Sequence, residues 1–79
     1  MIASHTIQEI LFGPTTISLI IDGNQIKINL EDVSDKLNKA TDLQRNFYKI
    51  SPSGYGIHWP LIDEDLSVAA LLKLSKNSL

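Results

Sequence analysis

The stretch Thr16 to Leu30 constrains this chain more than any other. Ile17, Leu19 and Ile21 alternate with Thr16, Ser18 and Ile20; Asp22-Gly23-Asn24 intervenes; Ile26, Ile28 and Leu30 then alternate with Gln25, Lys27 and Asn29. Two period-two runs joined by a residue pair able to adopt positive φ define a β-hairpin. A Gly23-Asn24 loop sets Ile21 opposite Ile26, Leu19 opposite Ile28 and Ile17 opposite Leu30. An Asp22-Gly23 loop shifts that pairing by two and keeps the same faces. An odd slip would turn one apolar row to water, so only these two registers are admissible.

The rest of the chain must complete a core around this hairpin, and 79 residues allow one domain, spanning 1–79. With 43% apolar and 20% charged residues the composition is globular. Ile7 to Phe12 reads as a third strand, its period blurred by Gln8 and Glu9. After Leu30 the period lengthens: Val33, Leu37 and Ala40 mark one side of a short helix. Thr41-Asp42-Leu43-Gln44 has the pattern of a capping box, which starts another helical turn with Leu43 and Phe47 on its buried side. Tyr48 to Ile50 is a short strand, and Ser51-Pro52-Ser53-Gly54 a loop. Ile57-His58-Trp59 is β-prone and is stopped by Pro60. From Ser67 onward Val68 to Leu74 favours helix. The expected class is α+β: a small antiparallel sheet, the hairpin plus additional short strands, packed with two or three short helices.

Without cysteine, disulfides, cysteine zinc sites and thiol chemistry are excluded, which suits a reducing compartment. The start of the chain lacks a basic segment followed by an apolar run, and no apolar run approaches the ~20 residues of a membrane span. A cytoplasmic location is expected. Nine acids against seven bases give a net charge of −2, with no continuous basic stripe for nucleic acid. The pairs Lys36 and Lys39, Arg45 and Lys49, and Lys73 and Lys76 each read as a solvated helix side.

Gly54 to Val68 is dense in special residues. His58 is the better placed acid–base histidine, with Asp63 or Asp65 to orient it, His5 lying in a segment expected to be loose. The simpler reading is a strand histidine making a structural hydrogen bond. Asp63-Glu64-Asp65 lacks the alternating oxygen ligands calcium needs. These acids are better read as compensating the dipole of the following helix, with Asp65 or Ser67 as its N-cap. Trp59 is either a partner anchor or the centre of the core, and the core reading is preferred. Gly54 and Gly56 flank Tyr55 and lead into a strand, so they mark a turn rather than a phosphate cradle. Ser53, His58 and Asp63 could be written as a triad, but no nucleophile elbow supports it.

The run Gly-Ile-His-Trp-Pro at 56–60, followed by Leu61-Ile62-Asp63-Glu64-Asp65-Leu66-Ser67-Val68 and the Leu71-Leu72 pair, resembles the bacterial family called domain of unknown function 2442 (DUF2442). The Asp22-Gly23 hairpin and Leu37, Ala40, Gln44 and Arg45 share its spacing, and the resemblance spans about residues 16–74. It differs in having Ser34-Asp35-Lys36 where relatives often carry an aromatic-proline pair. The resemblance implies a small α+β domain without established catalytic residues. Relatives stand alone or are fused to a helix-turn-helix, and are often encoded beside another short protein, as in toxin–antitoxin pairs.

The expected function is therefore a non-catalytic protein-interaction module, an antitoxin-like or regulatory partner of another small protein encoded nearby, with a homodimer as a companion property. Tyr55, His58, Trp59, Asp63, Asp65 and Arg45 are the candidate interaction residues; no catalytic residue, metal or cofactor is expected, and neither nucleic acid nor membrane as partner. The alternatives are a nucleic-acid-binding, autoregulatory domain and a small enzyme centred on His58 with Asp63 or Asp65.

Overall fold

In the computed structural model, which describes residues 5–77 and side chains through Ser75, the hairpin forms with Asp22-Gly23 as its loop. Strand β2 (Thr16–Ile21) pairs with β3 (Asn24–Asn29) so that Leu19 faces Ile26 and Ile17 faces Ile28. Asp22 and Gly23 have φ of 52° and 83°, the mirror-image turn whose twist matches that of the flanking strands. Strand β1 (Ile7–Phe12) adds to the other side of β2. Its register slips between Ile7 and Glu9, which places a one-residue bulge at Gln8. The bulge is the physical cause of the blurred period there, and the Gln8 side chain accepts a hydrogen bond from the Gly23 amide.

After a 3₁₀ turn at Leu30–Asp32 come two five-residue helices, α1 (Asp35–Lys39) and α2 (Asp42–Asn46). Ser34 caps α1 by accepting from the Leu37 amide. Both halves of the capping box at α2 are present: the Gln44 amide donates to Thr41 Oγ1, and the Thr41 amide donates to Gln44 Oε1. Strands β4 (Lys49–Ile50), β5 (Gly56–Trp59) and β6 (Glu64–Ser67) form a second antiparallel sheet in that order, and α3 (Val68–Asn77) follows directly. The α+β class holds, with the strands divided between two three-stranded sheets.

The inner rows of both sheets, Leu37 of α1 and Val68 and Leu71 of α3 close one apolar core. Ile17, Leu30, Leu37, Trp59 and Val68 are wholly buried. Gly54 sits where β1's lead-in crosses the 51–54 turn: its φ is +71°, and a Cβ there would lie 1.8 Å from the His5 carbonyl oxygen. His5 is accordingly fastened rather than loose. Its amide donates to the Ser53 carbonyl, and its Nδ1 lies 2.8 Å from Asp22 Oδ2. The Thr6 amide donates to Asp22 Oδ1, and this bond, followed by that from His5, lowers the Asp22 carboxyl pKa below the ordinary 3.8.

Candidate functional site

Arg45 and Trp59 belong to the interior, and they hold each other's surroundings in place. The Trp59 indole is fully buried, donates from Nε1 to the Arg45 carbonyl at 2.8 Å, and meets the rings of Phe12 edge-on and of Tyr48 at a tilt. A buried indole N–H needs such an acceptor. Arg45 is only 6% exposed, which corrects its expected place on a solvated helix side with Lys49. Its guanidinium donates to Leu37 O and Asn38 O at the end of α1 and to Gly13 O and Pro14 O in the β1–β2 turn, at 3.0–3.2 Å. It also lies 5.8 Å from the Phe12 ring centre, within cation–π range. One forked cation thus reaches four carbonyls of a helix end and a tight turn, three of them, Asn38 O, Gly13 O and Pro14 O, beyond the Leu37 O that also accepts from the Ala40 amide. Arg45 cannot reach a phosphate from there.

The inward turn of Arg45 decides the rest of α2. Residues two before and two after it lie about 200° away around a helix of 3.6 residues per turn. Leu43, and Phe47 as the C-cap residue directly after α2, face out, 75% and 48% exposed, contrary to the buried side expected for them.

Pairing with β5 carries Glu64–Ser67 into a strand as far as Ser67, so the acids do not form a pre-helical cluster. Ser67 alone caps α3, accepting from the Ala70 amide, and Asp65 does not. Asp63 turns the chain with φ of 50°, and its carbonyl accepts from Lys36 Nζ. Glu64 accepts from the Ser34 hydroxyl. Ser34 and Lys36 thus tie the start of α1 to residues 63 and 64.

His58 Nδ1 lies 2.7 Å from Asp65 Oδ1, directly across β5 and β6, and the two side chains are 40% and 75% exposed. Asp65 therefore orients the imidazole and Asp63 does not. A hollow of about 490 Å³ runs over this sheet, lined by Lys49, Pro52, Tyr55, His58, Asp65 and Ser67 among others. Trp59 and Asp63 are outside it. Of the six candidate residues the structure brings Tyr55, His58 and Asp65 to one surface, assigns Trp59 and Arg45 to the interior, and leaves Asp63 in a turn. Gly54 and Gly56 belong to the bend, where Ser51 Oγ accepts from the Tyr55 and Gly56 amides. Among the described residues no group of three metal-ligating side chains converges, and no helix is long and apolar enough to cross a membrane. The Lys73 and Lys76 pair reaches beyond the described side chains.

The residues that sequence reasoning missed are Leu43 and Phe47. The signal available was Arg45 itself: an arginine turned inward near the end of a five-residue helix forces the apolar residues two before and two after it to the other side.

A small α+β domain, with two three-stranded antiparallel sheets closed over a single tryptophan, is the class defined by this fold. Residues 7–77 match the family described as protein of unknown function (DUF2442), and the chain belongs to that family. No curated protein and no solved structure matches it.

Proposed function

We propose that the domain is a non-catalytic protein-interaction module, an antitoxin-like or regulatory partner of another small protein encoded nearby, and that it docks through the outer side of α2. The observation that carries this reading is the exposure of Leu43 and Phe47 one helical turn apart. Apolar residues at this spacing are neighbours on a helix surface. A paired apolar patch next to a well-filled core marks a contact surface, whereas scattered single residues do not. Phe47 offers the aromatic anchor such contacts favour. Arg45 and the capping box hold the helix rigid from behind, so little ordering is needed on binding. The net charge of −2, with Asp42 beside Leu43, suits a basic partner.

Co-expression with the product of the adjacent gene, followed by size exclusion, tests the proposal. Co-elution with the wild type and its loss in Leu43→Glu are expected. Leu43 is the second residue of α2, where a carboxylate meets the positive end of the helix, so the variant stays folded. Repeated failure of the wild type to co-elute, or undiminished co-elution of Leu43→Glu, would count against it.

A further inference from the structure

The outer face of the second sheet carries a charge gradient from edge to edge. Lys49 of β4 stands opposite His58 of β5, which stands opposite Asp65 of β6. Residues directly opposed on antiparallel strands share a face, so cation, imidazole and carboxylate form one row about 10 Å long, two strand spacings. All three line the hollow, and Lys49 and Asp65 are exposed. Among the described residues Lys49 has no ion-pair partner within its own chain.

We propose that this face binds a second copy of the chain, related by a two-fold axis that runs parallel to β5 in the plane between the two sheets. That rotation lays β4 of one copy over β6 of the other. Lys49 then meets Asp65 of the second copy, the reciprocal pair forms at the opposite side, and the two imidazoles flank the axis. The charge row selects this axis. An axis across the strands would set Lys49 on Lys49 and Asp65 on Asp65, and like charges so placed repel. Face-to-face sheets pack about 10 Å apart, a gap that a lysine and an aspartate side chain span together. Isologous pairing also covers the hollow and the exposed Tyr55 ring, giving a small domain more buried apolar surface. Pairing through the edges of the first sheet is less favoured, because β1 carries the Gln8 bulge and β3 an exposed Lys27. The surface differs from the outer side of α2, so this proposal and the docking of a separate partner stand or fall independently.

Sedimentation of the purified chain over a wide concentration range tests it. The wild type should form a reversible dimer that salt weakens. Lys49→Glu and Asp65→Lys should each raise the dimer dissociation constant by about tenfold or more. An equimolar mixture of those two variants should dimerise again, because the mixed pair brings opposite charges together at both ends. The milder Lys49→Gln and Asp65→Asn should weaken the dimer less and in the same direction. A wild type that stays monomeric throughout would overturn the proposal. So would a dimer that the charge reversals leave intact, or a mixture that fails to restore association while the neutral variants also leave the dimer unchanged.

Discussion

Replacing Arg45 by Met removes the cation and leaves a side chain of similar length. Four hydrogen bonds are lost: Asn38 O, Gly13 O and Pro14 O lose the donor Arg45 gives them, and Leu37 O keeps only the Ala40 amide. A hydrogen bond involving a charged group contributes about 1.5–3 kcal/mol, so four could nominally amount to roughly 6–12 kcal/mol. Much of that is already offset by the cost of taking the guanidinium out of water, and deleting one side of a buried charged contact costs about 3–5 kcal/mol in practice. A domain of 79 residues is stable by roughly 4–12 kcal/mol, so Arg45→Met should bring it close to unfolding at room temperature. Arg45→Lys keeps the charge, but one ammonium cannot span a helix end and a turn as the fork does, so the loss should be about half as large. Urea titration followed by the fluorescence of Trp59, the only tryptophan and fully buried, reads both variants without a label. Comparing the slopes of the transitions checks that the unfolded states are equally exposed. If Arg45→Met fell within about 1 kcal/mol of the wild type, water would be satisfying those carbonyls and the clamp argument would be wrong.

Two further outcomes follow from the N-terminal fastening. Gly54→Ala should lower the urea midpoint, because a side chain at positive φ costs about 1–2 kcal/mol and the new Cβ must also displace the His5 carbonyl; an unchanged midpoint would mean that this crossing is loose. The folded Asp22 pKa is depressed, so its contribution to stability is present above the ordinary 3.8 and is lost as pH falls through the lower folded value. The Thr6 amide resonance should report that titration below 3.8, and a midpoint at or above 3.8 would contradict the hydrogen bonding described.

The first sheet was legible in the sequence because its evidence is local. Period-two alternation and a turn with positive φ fix β2 and β3, and the only irregularity in β1, at Gln8, is where the chain bulges. The capping box at Thr41 is local in the same way. The second sheet was half legible. Ile57 and Trp59 have strand propensity, but Glu64–Ser67 does not, and it becomes a strand only because β5 lies beside it. The acids therefore looked like a helix lead-in when two of them are bonded elsewhere, Glu64 to Ser34 thirty residues earlier and Asp65 to His58 on the neighbouring strand. Arg45 was misread for the same reason. Two of its acceptors, Gly13 and Pro14, lie more than 30 residues away in sequence, and no periodicity marks them. Once Arg45 turns inward, the exposure of Leu43 and Phe47 follows from helix geometry alone.

The division of labour between a locked interior and an exposed α2 is tested most directly by amide and indole resonances of the labelled chain, recorded as the product of the adjacent gene is added. Shifts centred on Leu43 and Phe47 are expected, with the Trp59 indole N–H unmoved because its bond to the Arg45 carbonyl stays closed. Shifts concentrated at Trp59 and its neighbours while α2 stays silent would contradict it.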